Sequence, residues 1–134
     1  MKITPDTNVL LRAAVNDDEQ QSSTAKASLT AARLIAIPSA TLCEFVWVLR
    51  HAYKRPAKEI ADAIRDLLDD ERVETNRPAV DAGLTMLIQG GDLADGAIAY
   101  EGSLSGGDTF VTFDKKAAKL LSDSGSAVEL LPSG

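Results

Sequence analysis

The sequence predicts an α/β fold in three layers: a central, mostly parallel sheet of five strands with helices on both faces, in a single domain over residues 1–134. Short apolar runs rich in branched residues alternate with longer segments of helical period, the pattern of strand–helix–strand units. The length and balance agree: 134 residues, 45% hydrophobic and 25% charged, suit one domain that buries a core without disulfides or a structural metal.

The first strand falls near residues 1–4. Helices follow over 7–16 and 19–32, separated by the polar stretch Asn16, Asp17, Asp18, and the second of them is mostly a surface helix. A second strand near 34–37 leads to a more apolar helix over 39–53, with Leu42, Val46, Leu49 and Tyr53 at spacings of four, three and four. Ser39 or Thr41 suits its start as a cap. Pro56 opens the next helix where its missing N–H costs little; Ile60, Ile64, Leu67 and Leu68 supply the buried stripe, and Asp69 and Asp70 mark the end.

A third strand near 72–75 precedes a helix carrying Val80, Leu84, Leu87 and Ile88, which Gly90 and Gly91 stop. A further helix covers 92–104. The run 109–113 is the clearest buried strand; a helix over 115–122 ends on Gly125, and a strand near 127–131 closes the sheet.

No apolar signal segment follows Lys2, and no apolar run approaches the roughly 18 residues of a membrane span. The lone Cys43 forms no internal disulfide and reads as a small buried core residue, so the expected setting is a reducing cytoplasm. Twenty acids against fourteen bases give a formal charge of −6, which argues against broad, nonspecific attraction to nucleic acid. His51 is the only histidine, which excludes catalysis by a histidine pair and most zinc sites. Carboxylates are the chemistry this chain has to work with.

In open α/β sheets ligands bind beyond the carboxyl ends of the strands, where the following helices begin. Asp6 lies just past the first strand and Asp114 just past the fourth, each at a helix start, and Glu44 lies near the first turn of the helix after the second strand. Asp95 follows a helix rather than a strand, and periodicity does not bring it to that edge. An Asp at a helix start is also a good cap, worth ~1 kcal/mol, and taken singly Asp6 and Asp114 read as caps. Glu44 sits among Leu42, Cys43, Phe45, Val46 and Trp47, and a buried unpaired carboxylate would demand a cation or a donor. Carboxylates sharing one crevice repel by roughly 4 kcal/mol per pair at about 4 Å and an effective dielectric near 20. A divalent ion removes that penalty, and an all-oxygen ligand set calls for Mg²⁺ or Mn²⁺.

The ordered set Asp6-Thr7-Asn8 after a short strand, Glu44 in an apolar helix, Gly91-Asp92-Leu93-Ala94-Asp95 followed by Ile98 and Ala99, and Thr112-Phe113-Asp114 at a strand end resembles the PIN domain family, and more closely the VapC-type toxin ribonucleases of toxin–antitoxin pairs. The resemblance spans essentially the whole chain. It implies that Asp6, Glu44, Asp95 and Asp114 hold Mg²⁺ or Mn²⁺, with Asn8 and Thr112 as polar supports. Asp92, three residues before Asp95 and so on the same helix face, reads as a helix cap ahead of a further ligand. It implies an endoribonuclease in which metal-activated water hydrolyses a phosphodiester, leaving 5′-phosphate and 3′-hydroxyl ends. It also implies a homodimer and a VapB-type antitoxin whose basic carboxyl-terminal segment enters the acidic crevice.

Arg50, His51, Lys54 and Arg55, or Lys115, Lys116 and Lys119, are candidate backbone grips, a solvated helix face being the alternative for each. Trp47 reads as core or dimer packing ahead of base stacking. A phosphorelay receiver would need an acceptor Asp after its third strand, where Val73, Glu74, Thr75 and Asn76 stand. An aspartyl phosphatase of the haloacid dehalogenase type would need a second Asp where Asn8 stands. The remaining alternative is a nuclease fold kept only for antitoxin binding.

Overall fold

The computed structural model describes residues 1–133. They form two compact units, Met1–Asn76 and a second beginning at Arg77.

The amino-terminal unit runs β1 (Lys2–Ile3), α1 (Thr7–Ala14), α2 (Glu19–Ala31), β2 (Leu34–Ala36), α3 (Ser39–His51), α4 (Ala57–Asp69) and β3 (Val73–Glu74). The strands lie side by side in chain order and parallel, Ile3 opposite Ile35 and Ile35 opposite Val73. Parallel neighbours need long crossovers, and each pair of intervening helices supplies one. Leu10 and Leu11 of α1, Ile35 of β2, Phe45, Val46 and Leu49 of α3, and Ile60 and Ile64 of α4 are buried in its core. On α4 the buried residues Ile60, Ala61, Ile64 and Leu68 recur at helical spacing, while Glu59, Asp62, Arg65 and Asp66 face solvent.

Two helix ends differ from expectation. Pro38, at φ −59 and ψ 149, holds the position before α3, which has no side-chain cap bond; Ser39 and Thr41 fall inside the first turn. The fixed φ of proline sets the chain entry that a capping hydroxyl otherwise would. α3 also stops at His51, short of the expected Tyr53: the Arg55 N–H returns to Leu49 O at 2.9 Å around Lys54 at φ +55, and beyond the helix the Tyr53 hydroxyl donates to Asp17 Oδ2 at 2.8 Å, where Arg12 Nη1 donates to Asp17 Oδ1 at 3.0 Å. Cys43, expected in the core, is only half-buried.

The second unit runs α5 (Arg77–Ile88), α6 (Leu93–Leu104), β4 (Phe110–Thr112), α7 (Lys115–Asp123) and β5 (Val128–Leu130), with β4 and β5 parallel. Its helices share one ending. After α5, the Gly90 N–H bonds Leu87 O at 3.0 Å and the Gly91 N–H bonds Met86 O at 2.8 Å, around Gly90 at φ +91. The same paired bonds close α6 through Gly106 and Gly107, and α7 through Gly125 and Ser126. This is the Schellman arrangement, whose left-handed residue favours glycine.

The strands therefore pair as one three-stranded and one two-stranded parallel sheet, where a single five-stranded sheet was expected. Each strand has only two or three residues, so each ladder is short. The run 109–113 is not a buried strand: Val111 is 51% and Phe113 63% exposed, because alternate residues of β4 face away from what the strand packs on. Ile88, assigned to the stripe of α5, is 56% exposed; it sits one residue, about 100° of helix, from buried Leu87. Among the described residues no helix is long and apolar enough to cross a membrane.

Candidate functional site

Within the amino-terminal unit, β1 and β2 are parallel neighbours, so their carboxyl ends share one edge of the sheet, and α1 and α3 start from that edge. Asp6 stands there as the N-cap of α1, with Oδ1 accepting the Val9 N–H at 3.0 Å. Its second oxygen accepts no hydrogen bond among the described residues. Glu44 is the sixth residue of α3 and is exposed. Its apolar sequence neighbours do not enclose it: Leu42, Phe45 and Val46 turn inward, while Glu44 and Trp47 share the outer face. The expectation of a buried carboxylate at 44 is thus corrected, and burial does not press on that side chain.

Asp92, Asp95 and Asp114 belong to the other unit. Asp92 caps α6, accepting the Ala94 N–H at 3.3 Å, as the sequence suggested. Asp114 follows β4 by one residue and caps α7 tightly, Oδ1 accepting the N–H of Lys116 at 2.9 Å and of Ala117 at 3.1 Å. Thr112, at the end of β4, orients this turn, its hydroxyl accepting the Asp114 N–H at 3.0 Å. Here too one carboxylate oxygen serves the helix and the other is uncommitted among the described residues.

Asp95, in the first turn of α6, is partly buried, and its proton affinity is raised by burial first, then by the negative charges of Asp92 and Asp114. The residue that follows it, Gly96, marks a close packing of α5 on α6. A Cβ at Gly96 would lie 2.8 Å from Gly83 Cα, and one at Gly83 would meet the Leu93 side chain at 2.7 Å, so only glycine lets the helices approach here. The sequence included Asp95 by resemblance alone; the glycines at 83 and 96 were the overlooked signal for the contact between α5 and α6.

The four predicted acids divide two to each unit, Asp6 and Glu44 in the first and Asp95 and Asp114 in the second. Among the described residues no group of three or more His, Cys, Asp or Glu side chains stands positioned to hold a metal ion. The chemistry of the donor set nevertheless fits a hard divalent cation. All the oxygens are carboxylate, and Asp95 sits in a field that opposes its own ionisation.

The basic candidates are partly committed. Lys119 pairs with Asp123 at 2.8 Å and Arg55 with Glu59 at 3.8 Å, whereas Lys115 and Lys116 are exposed in the first turn of α7, next to Asp114. Trp47 is 56% exposed, its ring 4.7 Å from that of His51, which removes the core reading.

The sequence pattern of the PIN domain matches residues 3–120. This chain belongs to the PIN domain family. The match takes in Asp6, Glu44, Asp95 and Asp114, and reaches from β1 into α7. The PIN domain is a nuclease fold, its members are generally hydrolases of nucleic acid, and they typically use divalent metal ions. No curated protein matches the chain.

Proposed function

We propose that this PIN domain protein is a metal-dependent endoribonuclease, the toxin of a VapC-type pair, acting as one domain over residues 1–134. Asp6, Glu44, Asp95 and Asp114 hold Mg²⁺ or Mn²⁺. The observation that carries the reading is the state of Asp95: burial, Asp92 and Asp114 all work against its charge. The attraction of a divalent cation would outweigh all three, and when bound it would supply the acidity that activates water and the charge that steadies the phosphate.

The residues' own parts follow from their bonds. Asp6 and Asp114 each use one oxygen to fix a helix start and keep the other for a ligand, so the cap and ligand roles are compatible. Backbone donors hold both carboxylates in place, which reduces the ordering cost of binding. Lys115 and Lys116, exposed beside Asp114, steady a phosphate there and offset locally the net acidity of the chain.

The biological setting belongs to the same proposal: a cytoplasmic homodimer held inactive by a VapB-type antitoxin, whose basic carboxyl-terminal segment competes with RNA and metal for the acids. The test is incubation of purified protein with total RNA and with single-stranded DNA, in Mg²⁺, in Mn²⁺ and in chelator, beside Asp6→Asn. Cleavage of RNA confined to the metal lanes of the unmodified protein is expected. Equal cleavage in every lane ends the reading.

A further inference from the structure

A groove of about 660 Å³ lies between α1 and α2, with Asp6 in its wall. That volume is within the ~300–1,000 Å³ of pockets that take small ligands. Across the groove α2 presents Gln21, Thr24 and Ser28, at spacings of three and four and hence on one face, with Gln20 beside them. A helix packed on its neighbour ordinarily turns apolar residues that way. Here the close approach is left to buried Ser22 and Ala25, and the amide and hydroxyl groups of α2 stand in a wall that also holds Val9, Arg12 and the carboxylates of Asp6 and Asp18.

Among the described residues, the side chains of Asn8, Gln20, Gln21, Thr24 and Ser28 make no hydrogen bond within the protein. The charges in the wall favour neither a phosphate nor a second anion. Asp6 and Asp18 are negative, and the one cation, Arg12, is held by Asp17 at 3.0 Å. The occupant that suits neutral donors and acceptors between carboxylates is an uncharged planar group with donors and acceptors on its edge.

We infer that the α1–α2 groove is a nucleobase subsite, in which Gln21 and Thr24, with Gln20 and Ser28, read the edge of one unpaired RNA base next to the phosphate engaged at Asp6. The inference rests on the ribonuclease reading and adds to it the origin of sequence preference. Single-stranded RNA exposes the base edges that such side chains recognise. The backbone phosphates stay outside the groove, away from Asp18.

The test separates binding from cleavage. In chelator, the full-length protein is titrated with four single-stranded RNA tetranucleotides that differ at one base, while the side-chain amide resonances of Asn8, Gln20 and Gln21 are followed by NMR. Those resonances are expected to shift, and affinity to vary about tenfold or more among the four, the scale of one well-made base contact. Gln21→Leu and Thr24→Val, which keep side-chain bulk at exposed positions, should each reduce the variation to under about threefold. Ser23→Ala, outside the groove, should preserve it.

Unmoved amide resonances, or a base preference that survives both substitutions, overturn the inference. So does a response of the same resonances to an arginine-containing peptide and to none of the RNAs, which would give the groove to a protein partner. Cleavage of RNA in Mg²⁺ without these shifts leaves the ribonuclease reading intact and removes the subsite. Shifts with base preference but no cleavage remove the ribonuclease reading and retain a base-binding groove.

Discussion

Arg72 grips Asp70 along one edge of its guanidinium, Nε to Oδ1 at 3.1 Å and Nη2 to Oδ2 at 2.8 Å, while its Nη1 donates to the carbonyls of Leu29, Thr30 and Ala32 at 2.9, 3.1 and 2.9 Å. One side chain thus closes the carboxyl end of α2, where carbonyls lack helical partners and the helix dipole favours a cation. The Arg72 backbone N–H also donates to Asp70 Oδ1, at 2.9 Å.

These bonds, those from the Arg72 side chain foremost, hold the Asp70 carboxyl down at about 2, below the ordinary 3.8. A carboxylate lowered in the folded state stabilises it above the unfolded value, and that contribution is lost as pH falls toward the folded value. The amino-terminal unit should therefore lose stability between about pH 4 and pH 2. Asp17, lowered by its bond from Tyr53 and then by Arg12, adds in the same sense. Urea midpoints measured over this range should fall less steeply for Asp70→Asn than for the unmodified protein; parallel slopes would show that the pair carries no such linkage.

Gly96→Ala should destabilise by ~1–3 kcal/mol, because the new methyl group would press on the Ala82 backbone and on Gly83 Cα, neither of which can rotate away. Gly102→Ala, in the same helix with nothing within 4 Å of the added carbon, should instead stabilise by ~0.5–1 kcal/mol through the better helix propensity of alanine. Denaturant unfolding of the two variants gives opposite signs if the close approach of α5 and α6 is as described. Equal shifts would contradict it.

Much of this architecture was legible in the chain because helices announce themselves through spacing and stops: Ile60 and Ile64 predicted the buried face of α4, and Gly90 and Gly125 sit at helix ends in the left-handed conformation that favours glycine. The inward or outward direction of a single residue was less legible. Glu44 and Ile88 each stand beside buried neighbours, yet adjacent helical residues point about 100° apart, so both face solvent. Val111 and Phe113 belong to an apolar run whose alternation leaves one side of β4 uncovered. The positions of Asp6 and Asp114 after strands could be read directly, whereas the partial burial of Asp95 is a matter of tertiary packing that helical period does not report.

Asp95→Asn should raise the stability of the metal-free protein at neutral pH, since it removes a carboxylate opposed by burial and by Asp92 and Asp114. Adding Mg²⁺ or Mn²⁺ should reverse the order. Saturation to about 100 times the dissociation constant stabilises the unmodified protein by ~2.7 kcal/mol, and the variant should gain much less. Thermal melts with and without each metal make the comparison, and an identical metal-induced shift in both proteins would remove Asp95 from the ligand set.

Asp114 allows its two roles to be pulled apart. Its Oδ1 accepts two backbone N–H groups at the start of α7, a bond that asparagine can also make through its carbonyl oxygen, whereas alanine can make none. Asp114→Asn should therefore change stability by only a few tenths of a kcal/mol, and Asp114→Ala should cost ~1 kcal/mol. Metal-dependent RNA cleavage should fall at least ~100-fold in both, because each removes the negative charge a divalent ion requires. Activity that tracks stability, retained in Asp114→Asn and lost in Asp114→Ala, would instead show that this carboxylate only starts a helix.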